Sequence, residues 1–189
     1  MRLKITALAF VLALGGCAAE QAAGPPMPLE PQPAASVLRP GLQARYIYGD
    51  FEHVDAMPPI GKASLGQPVA NLAAGSNSGK LWEAQTATLY GVYFTGLIRL
   101  EPGDYQFAVK SNDGVRVTLD KTRLLEDPTA HPDRMSPPAK VSIKSGGWYS
   151  LTVQYFQRRG GAALELHWQP PGSAGLSIVP PEALAHLPG

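Results

Sequence analysis

The sequence predicts an all-β fold, an antiparallel β-sandwich or barrel preceded by a disordered tether. Three observations carry that expectation. Apolar residues recur at every second position in five separate runs, the pattern of a strand buried on one face. Gly and Pro supply 20 and 19 of the 189 residues and fall largely between those runs, where turns need them. No segment after residue 17 has the 3.6-residue period of a long amphipathic helix.

The first residues read as an address. Arg2 and Lys4 precede a mostly apolar, uncharged run over residues 5–14. It is too short to span a bilayer, which takes ~20 residues, and fits a secretory signal. Leu14-Gly15-Gly16-Cys17 resembles a bacterial lipobox. The resemblance implies cleavage before Cys17 and acylation of that cysteine, with palmitate among the chains, so residues 1–16 read as a lipoprotein signal peptide. Several acyl chains anchor stably, because each buried CH₂ contributes ~0.8 kcal/mol. Ala18, rather than Asp, after the cysteine implies sorting to the outer membrane.

Residues 17–40 read as a lipid-anchored Pro/Ala-rich linker. They carry no strand or helix pattern and too little apolar surface to offset the entropy of ordering. Extended as polyproline II, at about 3.1 Å per residue, such a linker would reach on the order of 70 Å.

Residues 41–189 form the expected β domain. A first strand is predicted over 42–48, then a poorly patterned stretch over 57–80 with short strands. Between Tyr90 and Leu100, five of the six alternate positions are apolar, the exception being Gly96. Tyr105-Phe107-Val109, Val115-Val117-Leu119, Tyr149-Leu151-Val153-Tyr155 and Leu164-Leu166-Trp168 alternate with polar neighbours, as in strands with one wet face. Glu101-Pro102-Gly103 predicts a tight turn, and Asn112-Asp113-Gly114 predicts a hairpin with its glycine at positive φ. Residues 126–140 carry four prolines and read as a long excursion before a short strand at 141–143. Trp82 is expected to be exposed, and Trp148 and Trp168 to be core.

Composition excludes several functions. A net charge of +1 with 16% charged residues argues against nucleic acid as partner. A hydrophobic share of 44% is too high for wholesale disorder. One cysteine rules out an intrachain disulfide framework and a multi-cysteine zinc cage. The four histidines have no metal-ligand spacing. In Gly75-Ser76-Asn77-Ser78-Gly79 the centre is Asn, where a nucleophile elbow needs a nucleophile. No catalytic residue is assigned, and the chain reads as a non-enzyme.

The ordered set of Phe94-Thr95-Gly96-Leu97-Ile98, Ser111-Asn112-Asp113-Gly114-Val115-Arg116-Val117, Gly146-Gly147-Trp148-Tyr149 and Gly161-Ala162-Ala163-Leu164 resembles the protective-antigen domain family. The resemblance covers roughly residues 42–184. It implies an antiparallel sandwich and, in many members, carbohydrate binding; other members serve protein assembly. In sugar-binding members two adjacent Asp before the glycine hold Ca2+, a hard cation that takes several oxygen ligands. Here the pair is Asn112-Asp113, and the matching second loop, Gln157-Arg158-Arg159-Gly160, offers two cations and no carboxylate. Were a metal held, Asp113 would be its ligand, but the site is expected to need no cofactor. The candidate ligand-binding residues are Asn112, Asp113, Arg158 and Arg159, with the arginines suited to charge-assisted bonds to an anionic glycan. The expected partners are the membrane, through the lipid on Cys17, and a glycan or polysaccharide, or else an envelope protein in an assembly.

Overall fold

The alternating runs become strands because each can bury one face only against another sheet. A computed structural model describes residues 24–188; the expected signal peptide, Cys17 and the first part of the linker lie outside them. Among the described residues the strands are β1 (Arg39–Pro40), β2 (Gln43–Tyr48), β3 (Ser64–Leu65), β4 (Ala73–Ser76), β5 (Tyr90–Leu100), β6 (Gly103–Asn112) and β7 (Val115–Leu119). They continue with β8 (Thr122–Asp127), β9 (Arg134–Met135), β10 (Ala139–Ile143), β11 (Gly147–Gln157), β12 (Ala162–Gln169), β13 (Ser177–Ile178) and β14 (Leu184–His186). One antiparallel sheet runs β1-β14-β5-β11-β7-β8, with β2 also on β5 and β3 on β2. The other runs β10-β6-β12-β13, with β4 on β12 and β9 on β6.

The core lies between them. Tyr90, Val92, Phe94, Ile98 and Leu100 of β5 and Tyr149, Leu151, Val153 and Tyr155 of β11 meet Tyr105, Phe107 and Val109 of β6 and Leu164 and Leu166 of β12. Each such side chain contributes about 1.5–3 kcal/mol on full burial. Gly96 breaks the apolar alternation for a reason: a Cβ there would sit 2.5 Å from the Ala185 carbonyl oxygen and 2.8 Å from Leu42 Cδ2. Trp168, predicted to be core, is partly buried against it, packing on Tyr105 and Phe107. Trp82 is less exposed than predicted, since its ring meets Phe94 edge-on at 4.9 Å.

Three expectations need correction. The Asn112-Asp113-Gly114 turn is not a hairpin, because β6 and β7 belong to different sheets. A hairpin looping through Asp113 and Gly114 would pair Asn112 with Val115 and send Val115, Val117 and Leu119 to the face opposite Phe107 and Val109. Crossing between sheets lets both sets point inward. Gly114 is not among the glycines at positive φ; its Cβ would collide with Phe156, 2.3 Å from one ring carbon. The turn at residues 101–102 also crosses between sheets, and so do those before β11 and β12.

Second, residues 24–40, read as linker, are seated on the sandwich. The Leu29 amide donates to the Trp148 carbonyl at 2.8 Å, and the Trp148 amide donates to Gln32 Oε1 at 2.7 Å. Thr122 Oγ1 donates to the Gly24 carbonyl at 2.9 Å, and β1 pairs with β14. Proline-rich sequence hides this because its docking uses backbone and amide groups rather than an apolar stripe. Third, the outer face of β5 and β11 is not wholly wet. Tyr93 and Phe156 are covered by Phe51, Val54 and Met57 in a second small core.

Candidate functional site

Strands β5, β6, β7, β11 and β12 all have one end at the same pole of the sandwich. There the β6–β7, β8–β9 and β11–β12 loops surround a depression of about 430 Å3 lined by Asn112, Asp113, His131, Arg158 and Arg159. The structure thus brings the four predicted site residues together.

Asp113 is 5% exposed and ties the loops to one another. Its Oδ1 accepts from the His131 amide at 3.2 Å, and its Oδ2 accepts from the Arg158 amide at 2.6 Å. A carboxylate buried this way is tolerable because it is hydrogen-bonded. The Asn112–Asp113 peptide is cis. Asn112 receives the Tyr155 hydroxyl on its carbonyl at 2.5 Å and donates its side-chain amide to Asp133 at 3.0 Å. Burial pushes the Tyr155 phenol well above its ordinary range, so it stays a neutral donor. Gln157 closes the last loop by donating to the Gly160 and Gly161 carbonyls.

The two arginines differ. Arg158 Nε meets Asp50 Oδ1 at 2.6 Å, and its Nη2 meets Glu52 Oε1 at 2.6 Å. The hydrogen bond from Arg158 holds the Asp50 carboxyl below its usual range, and the same bond raises the arginine. Arg159 is exposed and makes no side-chain hydrogen bond or ion pair among the described residues. Close by, Arg134 grips Asp127 through its Nε and Nη2 and holds that carboxyl low. His131 is buried, its Nδ1 2.8 Å from the Pro132 carbonyl oxygen. Its Nε2 lies 3.2 Å from Asp127 Oδ2 without hydrogen-bond alignment.

Sequence reasoning missed Asp50, Glu52, Asp127, His131 and Asp133 as neighbours of the site. The one available signal was the Asp50-x-Glu52 spacing just after the first predicted strand, two acids on one side of an extended chain.

The donor set does not fit Ca2+. Both Asp113 oxygens already accept a backbone N–H, Asn112 turns its amide to Asp133, and the β11–β12 loop brings guanidinium groups. Among the described residues no group of three or more His, Cys, Asp or Glu side chains is placed to hold a metal. The depression instead presents polar loop residues, Asn112 and His131 among them, and at its rim the Arg159 guanidinium, which has no ion pair among the described residues.

Comparison with known proteins is consistent with the fold. The family model described as the PA14 domain matches residues 70–180. The PA14 sugar-binding domain from an RTX adhesin is 18% identical, with a TM-score of 0.62 over 78% of this chain and 98% of that one. The Epithelial Adhesin 9 A domain from Candida glabrata, solved with Galβ1-4GlcNAc, is 11% identical, with a TM-score of 0.65 over 86% and 95%. An anti-sigma factor domain-containing protein from Clostridium clariflavum is 20% identical, with a TM-score of 0.61 over 80% of this chain and 48% of that one. This chain therefore spans about half the length of that relative. No curated protein sequence matches this chain.

Proposed function

The chain belongs to the PA14 domain family, and from that premise we propose that it is a non-catalytic carbohydrate-binding module held in the bacterial outer membrane by a lipid on Cys17. The observation that carries the reading is the loop pole. Asp113 fixes three loops around a depression that ends in the unpaired Arg159. Loops held rigid by these bonds, with one cation at the rim, suit hydroxyl-rich, anionic polymers, because little ordering entropy is lost on binding. The sugar-binding adhesin domains of similar fold support the ligand class.

For a protein anchored at Cys17, the seated N-terminal segment supports one orientation. Residues 24–32 contact Trp148, Asp120 and Thr122, at the pole opposite Asn112 and Arg159. Only residues 17–23 then separate the lipid from the domain, a reach of at most ~25 Å at about 3.4 Å per residue. The loop pole faces away from the bilayer.

The test is a glycan array with the mature lipidated chain in detergent. Binding of an envelope or matrix glycan, unchanged by EDTA, is expected. Arg159→Ala should weaken binding of acidic glycans and flatten its salt dependence. An empty array with and without Ca2+ removes the reading. A stoichiometric envelope protein recovered from membranes, and retained against glycan competition, replaces it with docking of a protein partner.

A further inference from the structure

We propose a second saccharide site on the outer face of the β10-β6-β12 sheet, at the pole opposite the Asp113 loops. The concavity there is about 570 Å3, within the few-hundred to one-thousand Å3 range of small-molecule sites. Its floor is a pair of facing amides. Gln106 and Gln169 stand directly opposite on β6 and β12, and Gln106 Nε2 donates to Gln169 Oε1 at 2.8 Å. Gln169 Nε2 also donates to the Ser173 carbonyl at 2.8 Å, which fixes the loop that forms one wall. That loop lies close to β6: a Cβ at Gly103 would come within 2.4 Å of the Pro171 ring. On the other wall, Ser142 of β10 donates its hydroxyl to Asp104 Oδ1 at 2.6 Å.

These bonds hold the side chains in place without exhausting them. Gln106 keeps its carbonyl oxygen and a second N–H, Gln169 keeps a lone pair, and Asp104 keeps its other oxygen. Lys140, cross-strand from Gln106, adds ammonium donors and has no ion pair among the described residues. Acceptors and donors alternate across one preorganised surface, which is the chemistry that recognises vicinal hydroxyls. The single carboxylate and the single ammonium cancel, so the ligand is a neutral sugar unit rather than a uronate or phosphate. In this the trough differs from the rim at Arg159. The ligand class rests on the carbohydrate-binding reading above; the location does not depend on the rim.

The experiment is calorimetric titration of the mature lipidated chain in detergent with cellobiose, N,N′-diacetylchitobiose and lactose as neutral probes and digalacturonate as the acidic one. At least one neutral probe should bind with an affinity that is unchanged by EDTA and changes less than twofold between 50 and 500 mM salt, reflecting cancelled charge. Gln106→Ala with Gln169→Ala should weaken it at least tenfold. Ser142→Trp, which fills the trough from an exposed position, should abolish it while thermal unfolding stays cooperative. Lys80→Ala, on a distant loop, is the control expected to bind normally. Neutral-sugar binding that survives both trough changes but falls with Arg159→Ala overturns this proposal and leaves the carbohydrate reading intact. Binding of digalacturonate alone also overturns it. No binding of any of the four probes overturns the trough, and an empty glycan array besides removes the wider reading.

Discussion

The two poles of the sandwich use the same turn-forming residues and hold their loops by different forces. At the loop pole the ties are ionic: Asp113 to two loop amides, Arg158 to Asp50 and Glu52, and Arg134 to Asp127. A second apolar core around Phe156 supports them from outside the sheet. At the opposite pole, where residues 24–40 dock as a strap, the ties are mostly neutral, apart from the Met27 amide on Asp120 and the exposed Arg99–Glu101 pair. Leu29 and Gln32 bond the Trp148 backbone, and the Tyr149 hydroxyl donates to the Ser145 carbonyl at 2.5 Å. The difference teaches where the molecule is sensitive. Ionic ties respond to pH and salt; backbone and amide ties do not.

The largest expected contrast comes from Phe156→Ala, which removes a fully buried ring beneath the loop pole. Its cost should be about 3–5 kcal/mol by denaturant unfolding, as for other buried Phe truncations. A cost near that of a strap substitution would mean that the second core does not support this pole. Asp113→Ala comes next. It strands the His131 and Arg158 amides and should cost about 2–4 kcal/mol, in the lower half of about 1–3 for each of the two groups, because the Arg158 amide is only part-buried. Asp113→Asn keeps an acceptor and should lose less, with amide exchange at His131 and Arg158 as the local readout. Gln32→Ala should cost only about 1 kcal/mol, the net worth of an ordinary hydrogen bond. It should quicken exchange of the Trp148 amide while leaving the loop pole protected.

The smallest effect is graded with pH. Asp127 and Asp50 are held below their ordinary range by Arg134 and Arg158. A depressed carboxyl contributes stability that is present above its unfolded value and lost as pH falls through its folded one. Acidification below the usual carboxylate range should therefore loosen the loop pole before the strap pole. Because each pair has one well-exposed member, Arg134 and Asp50, solvent screens it and the loss is modest. Amide exchange at residues 128–133 and at Trp148, compared between neutral and acid pH, reads it directly. Equal loosening at both ends would erase the contrast.

The strands themselves were legible. Alternation over 90–100, 105–109, 115–119 and 149–155 falls within β5, β6, β7 and β11, because a face must be apolar to be buried and periodicity records that. The four candidate residues named from the sequence converge on one depression. What could not be read was their company. Arg158 looked available in the sequence, yet it is neutralised by Asp50 and Glu52, more than a hundred positions away. The strap was hidden for a related reason: its bonds are made by backbone and by one glutamine, and neither leaves a pattern.

The sequence by itself determined that this protein is an antiparallel β-sandwich or barrel, which strand residues line its main core and where its turns lie, since burial of alternate side chains is a local demand. Only the tertiary structure decided that the tight turns cross between sheets, that the proline-rich segment docks, and which charges stay free. Those outcomes depend on which distant atoms come within hydrogen-bonding reach, and chain order does not encode that distance.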